Sequence, residues 1–283
     1  MTAGCAVVHA QDSGQRPIFR VKVDMVVLSF QVTDNKGRYV NGLKPTDFRI
    51  FEDGIPQRIA TFAEGAKAPL AVAENGATKP MLEANKDALP GMERPDAFVG
   101  TNVFVLFDTS NFMYKSFVYA EDAIAGLRKS VAGDDTALYN ALLLALRDAA
   151  KVPGRKVIIV FSNGPDNASM VAPDDVRAVA EDEGIPIYVI STAEVNKDPI
   201  SSNVFKRISQ RTGGKAYFAK TWQKQVEAFE DIREDLGNSY TVTYYPKANP
   251  NEGFRKITID PTNDPGKKWR IRSRPGYRPS RTL

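Results

Sequence analysis

Cysteine and histidine are almost absent from this chain of 283 residues. The one cysteine is Cys5 and the one histidine is His9, and they lie around a small-x-small pattern, Val8 to Ala10, that is typical of signal-peptide cleavage sites. A mature protein that begins at Gln11 therefore contains neither side chain. This excludes thiol nucleophiles, imidazole bases, disulfides and the usual zinc sites, and leaves carboxylates, lysine and tyrosine for any chemistry.

Other features are missing as well. No apolar run approaches the roughly 18 residues of a membrane span, so no membrane-spanning segment is predicted. No Gly-x-Gly-x-x-Gly or Walker pattern opens a predicted helix, so nucleotide binding has no support. The net charge of +4 and the pI near 9.0 are only mildly basic. Nucleic-acid-binding proteins usually have clustered basic residues, and a nucleic-acid partner is therefore not expected.

Residues 1–17 resemble the end of a signal peptide, because small and apolar side chains precede the cleavage pattern. They predict an exported protein, either secreted or periplasmic. A second interpretation makes Cys5 the lipid-anchored first residue of a lipoprotein, although the leucine usual three residues earlier is replaced by Thr2. A third interpretation is an unstructured N-terminal leader.

The stretch Val103–Phe107 is an unbroken apolar run that ends at Asp108, and Ser110 follows two residues later. Such a run is typical of a parallel strand that is buried on both faces. Ligands of open α/β sheets bind beyond the carboxyl ends of the strands. Asp108 is therefore the first candidate for a functional residue.

Helical and strand patterns alternate after this run, which predicts a parallel sheet with right-handed helical crossovers. Amphipathic spacing predicts the helices, and short apolar runs predict the strands. The predicted helices are 114–131, 136–151, 173–183, 201–212 and 222–236, and the predicted strands are 156–162, 185–191 and 215–219. Residues 101–238 are therefore assigned to one α/β domain.

Both flanks of this domain have β patterns. Residues 18–64 alternate in hydrophobicity and include a predicted hairpin between a strand at 47–51 and a return strand at 57–62. Residues 239–283 predict three more strands, and residues 65–100 predict a linker rich in Ala, Gly, Pro, Glu and Lys. Neither flank has enough strands for a sandwich of its own. We predict one immunoglobulin-like β-sandwich built from both chain ends, with the α/β domain inserted between them.

Several short motifs lie at the predicted strand ends and in the flanks. Those of the α/β domain are Asp108-Thr109-Ser110-Asn111-Phe112, Thr136-Ala137-Leu138-Tyr139 and Ser162-Asn163-Gly164. Those of the flanks are Val40-x-Gly42-Leu43, Asp47-Phe48, Phe51-Glu52-Asp53-Gly54, Tyr244-Tyr245-Pro246 and Arg274-Pro275-Gly276-Tyr277. Together they resemble the von Willebrand factor A domain, and more narrowly a bacterial family of exported von Willebrand factor A-related proteins with β segments on both flanks.

The resemblance implies a Rossmann-like fold and a divalent ion, such as Mg²⁺, that an acidic residue of a partner completes. The positions that match the family's metal ligands are Asp108, Ser110, Thr136 and Asn163. Phe112 replaces the family's second serine and Asn163 replaces its later aspartate, which leaves one carboxylate and implies a weak or lost site. The family also has two more strands and a helix before Thr136. The resemblance therefore implies a shortened domain in which Val103–Phe107 is a sheet edge.

Each candidate site residue also has an interpretation in which it only stabilises the fold. Asp108 fits a turn after a strand, and Thr136 fits the N-cap of the helix that it opens. The binding-loop candidates, which also fit turns or the N-terminus of that helix, are Asn111, Phe112, Asp134, Asp135 and Asp166. Arg270, Arg272 and Arg274 alternate along one strand, and they fit either a solvated outer face or a basic patch for acidic polymers.

The sequence favours a non-enzymatic protein-binding or adhesion-type module that presents its strand-end loops to a protein or cell-surface ligand. One alternative is an envelope hydrolase that uses two facing carboxylates, although no motif predicts such a pair. Another alternative is a structural scaffold whose degenerate metal site binds nothing.

Overall fold

The structure, a computed structural model, describes residues 25–81, 101–108, 136–192, 198–264, 266 and 268–279. The predicted leader at 1–17 and the predicted helix at 114–131 lie outside this part. The described strands are β1 (Val26–Thr33), β2 (Phe48–Glu52), β3 (Ile55–Gln57), β4 (Ile59–Glu64), β5 (Leu70–Val72), β6 (Thr78–Pro80), β7 (Thr101–Phe107), β8 (Arg155–Ser162), β9 (Ile187–Ser191), β10 (Ala216–Phe218), β11 (Ser239–Tyr244), β12 (Arg255–Pro261), β13 (Arg270–Ser273) and β14 (Gly276–Tyr277). The described helices are α1 (Leu138–Ala150), α2 (Pro173–Glu183), α3 (Pro199–Thr212) and α4 (Trp222–Gly237).

The parallel sheet has four strands in the order β10-β9-β8-β7. Its two faces are both covered, by α1, α2 and α3 on one side and by α4 on the other. Alternate residues of β8 enter the two cores, so that Ile158 packs under α1 and Ile159 packs under α4. This confirms the predicted parallel α/β part. None of the helices α1 to α4 combines the length and the hydropathy of a membrane-spanning segment.

Strand β7 is less buried than the sequence predicts. It forms one edge of the parallel sheet, and β8 is the only strand in the described part of the chain that pairs with it. Phe104 and Leu106 pack against the core under α1, whereas Val103 is 48% exposed and Val105 is 40% exposed. The prediction of burial on both faces is therefore wrong, because one face of β7 extends beyond the cover of α4.

Two antiparallel sheets contain the remaining described strands. Their orders are β13-β1-β11-β4-β5-β6 and β14-β12-β2-β3. Both sheets contribute to one hydrophobic core, in which Phe30 of β1, Phe48 of β2 and Tyr240 of β11 have ring centroids within 5.7 Å of one another. Strands from the two ends of the described chain therefore form one all-β part, as the sequence predicts.

Two details of the β part differ from the prediction. The return strand of the hairpin is β3, which pairs with β2, and the chain then crosses at Arg58 to β4, which pairs with β11 in the other sheet. The predicted linker at 65–100 contains β5 and β6, which extend that sheet beyond β4. The alternation of apolar residues could not distinguish one strand at 57–62 from two strands in different sheets.

A buried carboxylate connects the α/β part to the β part. Asp235 of α4 is fully buried and accepts hydrogen bonds from Lys215 Nζ and Tyr39 Oη, both at 2.7 Å, and from Tyr188 and Arg272. Burial by itself would raise the pKa of Asp235, but the charges of Arg272 and Lys215 outweigh it and hold the pKa below its usual value. Asp235 therefore stays ionised and ties α4 to β13.

The predicted basic patch on this strand is wrong for two of its three arginines. Arg270 is exposed, but Arg272 is bound to Asp235. Arg274 is 5% exposed and donates to the carbonyl oxygens of Glu181 and Val27, the latter at 3.0 Å. Burial lowers the pKa of Arg274. Arg272 and Arg274 face the α/β part, since they bind Asp235 of α4 and the Glu181 carbonyl of α2.

Candidate functional site at the carboxyl end of the parallel sheet

Asp108 lies immediately after β7 and is 6% exposed. Its amide donates to the Phe161 carbonyl at 2.9 Å, which continues the pairing with β8. Its carboxylate accepts a hydrogen bond from Ser162 Oγ at 2.7 Å, and Ser162 Oγ accepts one from the Gly164 amide at 3.2 Å. The ends of β7 and β8 are therefore joined by side chains, as expected for neighbouring parallel strands.

Thr136, just before α1, is attached to the loop that follows β8. Its amide donates to Asn167 Oδ1 at 2.8 Å, and its carbonyl accepts from the amides of Asn167 and Ala168 at 3.1 Å. Thr136 is 8% exposed. The start of α1 therefore lies at the same edge of the sheet as the loop after β8.

Asp166 acts as a cap for α1. One oxygen accepts from the Tyr139 amide at 2.9 Å and from Ser169 Oγ at 2.7 Å, and the other accepts from the Ser169 amide at 2.9 Å. The Tyr139 amide belongs to the first turn of α1, where amides lack partners within the helix. The carboxylate thus holds the loop against the helix, and both of its oxygens are engaged.

Within the described ranges, two other side-chain oxygens at this edge are buried without a hydrogen-bond partner, namely Asn163 Oδ1 and Asp198 Oδ2. Asp198 is the N-cap of α3, and its other oxygen accepts from the Ser201 amide at 3.0 Å. Gly164 has φ of +122°, and a Cβ there would lie 3.2 Å from Asp198 Oδ2. The loop after β8 therefore passes close to Asp198, and glycine suits both the backbone and the space.

Asp198 is not among the residues that the sequence patterns single out. The signal that could have indicated it is the pair Asp198-Pro199, since an N-cap aspartate followed by proline is typical of a helix start. Tyr139 lies near this carboxylate and near Asp166, and burial, followed by the negative charges of Asp166 and Asp198, raises the pKa of Tyr139 to about 12. Tyr139 therefore stays uncharged to a higher pH than an ordinary tyrosine, because the charge around it is negative.

The described residues fit a divalent ion poorly. Asp108 offers one carboxylate, Thr136 and Asn163 offer neutral oxygens, and the carboxylate of Asp166 is already occupied by amide and hydroxyl donors. Within the described ranges, no three aspartate, glutamate, histidine or cysteine side chains are grouped so that they could hold a metal ion. Mg²⁺ requires an octahedral shell of oxygens and gives up its water reluctantly, so this set favours weak binding.

The other predicted site residues, Ser110, Asn111, Phe112, Asp134 and Asp135, lie outside the described residues. A cavity of about 500 Å³ is lined by Asn41, Glu64, Gly65, Ala66, Lys67, Gly237 and Asn238. It lies where the turn after β4 meets the end of α4. None of the candidates at the strand ends contributes to it.

No family model matches the sequence. The chain is similar to a protein described as "UPF0353 protein" from Mycobacterium marinum (strain ATCC BAA-535 / M), with 25% identity over 166 residues. The similar region is 50% of this chain and 47% of that protein, so the chain spans about half the length of the curated relative that it matches. That description names no ligand, activity or partner.

Proposed function

We propose that this chain is an exported, non-enzymatic protein-binding or adhesion-type module of the von Willebrand factor A type. Its ligand is a protein or cell-surface ligand that contacts the loops at the carboxyl end of the parallel sheet. The observation that carries the proposal is the convergence of Asp108, the start of α1 at Thr136 and the loop after β8. These segments are far apart in sequence and are hydrogen-bonded to one another or to the same loop.

The flanking strands support the same assignment. Two antiparallel sheets share one core and come from both sides of the α/β part, which suits an immunoglobulin-like sandwich with an inserted domain. The buried pair of Asp235 and Arg272 holds the sandwich against α4. A rigid support of this kind positions loops for binding.

The metal site is degenerate in this proposal. Asn163 stands where a second carboxylate is needed, and no described residue donates a hydrogen bond to its buried Oδ1. Any divalent ion is therefore held weakly by Asp108 and neutral oxygens. Binding of the ligand relies on the shape and charge of the loops rather than on a tightly bound cation.

Calorimetric titration of the full chain with Mn²⁺ tests this arrangement. We compare the unaltered chain with Asn163→Asp, and with Asn167→Asp as a control of equal charge in the same loop. If Asp108 and position 163 share a cation site, Asn163→Asp tightens Mn²⁺ binding by about tenfold or more, because charge count sets the affinity of such sites. The control binds Mn²⁺ no more tightly than the unaltered chain does. Combining Asp108→Asn with Asn163→Asp removes the gain in Mn²⁺ affinity.

Two outcomes contradict the proposal. Micromolar Mn²⁺ affinity of the unaltered chain shows that the site is not degenerate. An Asn163→Asp variant without any gain shows that Asp108 and position 163 do not form one site.

A hydrolase with paired carboxylates is the alternative function. It requires two carboxylates that face each other across a cleft. Asp166 is engaged by the first turn of α1 and by Ser169, and the cavity near Glu64 includes neither Asp166 nor Asp108. No specific observation in the described part favours this alternative over a binding role.

A further inference from the structure

The loop after β8 begins with an asparagine that is followed by a glycine. Asn163 and Gly164 come directly after Ser162, the last residue of the strand. In such a pair the backbone nitrogen of the glycine can attack the side-chain amide carbon of the asparagine, because glycine has no side chain to hinder the approach. The attack closes a succinimide ring. Asparagine is one of the thermolabile residue types, and this pair is a candidate for conversion to a carboxylate.

The attacking nitrogen lies at one end of a short chain of hydrogen bonds. The Gly164 amide donates to Ser162 Oγ at 3.2 Å, and Ser162 Oγ donates to Asp108 Oδ2 at 2.7 Å. A backbone amide is a poor nucleophile until it gives up its proton. A carboxylate that is reached through one hydroxyl group can act as the general base. The structure thus provides a path for the proton of the nitrogen that attacks.

The amide group that is attacked is held less firmly than in another Asn-Gly pair of the chain. No described residue donates a hydrogen bond to Asn163 Oδ1. In the other pair, Asn75 Oδ1 accepts from the Ala77 amide at 3.0 Å, and the Gly76 amide donates to the Ala73 carbonyl at 3.0 Å. A carbonyl oxygen is not a base for an amide proton. The two pairs therefore differ at both reacting groups.

We propose that Asn163 deamidates in the folded protein, with Ser162 and Asp108 passing on the proton of the Gly164 amide. The bond from Gly164 N to Asn163 Cγ forms, and the Cγ–Nδ2 bond breaks. One proton leaves Gly164 N and one is added to Nδ2, so this nitrogen departs as neutral ammonia. Water then opens the ring, adding its hydroxyl to a carbonyl carbon and its proton to the ring nitrogen. Opening at Cγ gives an aspartate at position 163, and opening at the backbone carbonyl gives an isoaspartate.

Either product adds a negative charge next to Ser162, which is bonded to the buried carboxylate of Asp108. Like charges at close range repel each other, and a divalent cation relieves the repulsion. Deamidation therefore supplies the second carboxylate that the candidate cation site lacks. This consequence rests on the proposed function, whereas the chemistry at Asn163 does not.

Peptide mapping by mass spectrometry during incubation of the full chain tests the chemistry, since replacement of the amide NH₂ by OH changes the mass. The unaltered chain is expected to convert at Asn163. Ser162→Ala breaks the proton path and is expected to slow this conversion by about tenfold or more. Asp108→Asn keeps the shape of the side chain, removes the base, and is expected to have the same effect. The rate at Asn75 in the same samples is the control and is expected to stay unchanged.

Two results of this mapping overturn the proposal. One is an Asn163 that stays intact in the unaltered chain. The other is a conversion at Asn163 that neither variant slows relative to Asn75, which shows that the hydrogen-bond chain takes no part.

Calorimetric titration with Mn²⁺, before and after incubation, measures the consequence. The incubated chain is expected to bind Mn²⁺ about tenfold more tightly than the freshly prepared chain, because charge count sets the affinity of such sites. Asn163→Gln, whose longer side chain closes a ring less readily, is the control and should not change. A gain in the Asn163→Asp variant without conversion of the unaltered chain overturns deamidation alone. Conversion without any gain overturns its effect on the cation site, and with it the shared site of the proposed function.

Discussion

Replacing Asp235 by asparagine tests how strongly the buried carboxylate holds the α/β part against the β-sheets. The substitution keeps the size of the side chain but leaves Arg272 and Lys215 without their counter-ion. Removing one partner of a buried ion pair costs about 3–5 kcal/mol. The side chains of Arg272 and Lys215 are 27% and 36% exposed. Water can therefore rehydrate them in part, and we expect a loss at the lower end of the range, about 3 kcal/mol.

Urea denaturation followed by circular dichroism and tryptophan fluorescence measures this loss. With a slope of about 3 kcal/mol per molar urea, the midpoint falls by about 1 M. Asp148→Asn is the matched control, because it makes the same change in an exposed pair with Lys151. Exposed pairs contribute less than about 1 kcal/mol. An Asp235→Asn midpoint no lower than that of the control would refute the reasoning.

The effect of Asp235→Asn should also depend on pH. The pKa of Asp235 is lowered in the folded state, so its ionisation stabilises the fold above the ordinary carboxyl pKa of about 3.9. This contribution is lost as the pH falls through the lower pKa of the folded state. The difference between the two chains should therefore be full at neutral pH and shrink below about pH 4. A difference that stays constant on acidification would mean that packing, rather than charge, explains it.

Three further substitutions, one of them with a control, test other contacts by the same denaturation measurement. Asp166→Ala removes the acceptor for the first turn of α1 and should cost about 1 kcal/mol; no loss would mean that the cap is dispensable. Arg274→Met removes the donors of buried carbonyl oxygens and should lower the free energy of unfolding by more than about 2 kcal/mol. The control, Arg270→Met at the exposed position, should change it by less than about 0.5 kcal/mol. Equal losses would contradict the difference in burial. Gly214→Ala places a Cβ 2.0 Å from the Ile187 carbonyl oxygen, and a stability equal to that of the unaltered chain would disprove this close approach.

The elements between residues 155 and 237 were predicted well because their signals are local. Helix α2 was predicted at 173–183 and is Pro173–Glu183. Proline is favoured in a first helical turn, and Gly184, with φ of 65°, adopts the left-handed conformation that ends the helix. The apolar runs of β8 and β9 likewise predict strands that are buried on both faces.

Strand pairing was less predictable because partners are distant in sequence. Ile50 of β2 pairs with Ile259 of β12, and nothing in either strand specifies the other. Strands β5 and β6 arise in a segment rich in Ala, Gly and Pro that has no clear period, because backbone pairing at the sheet edge, and not side-chain alternation, specifies them.

The candidate site shows the same division. The position of Asp108 at a strand end followed from the apolar run before it, and its bond to Ser162 agrees with that placement. The role of Asp166 as a cap, and the approach of Asp198 to Gly164, depend on loops that only the folded sheet brings together.

Within the described residues of the α/β part, the sequence by itself determined which segments are helices and strands, and where the strands end. Side-chain periodicity and turn residues act within a few positions, so these features can be read from the chain. The tertiary structure decided that one face of β7 is exposed, that Arg272 and Arg274 are internal, and that Asp235 connects the two parts. Burial and charge pairing depend on groups that lie far apart in sequence and meet only after folding.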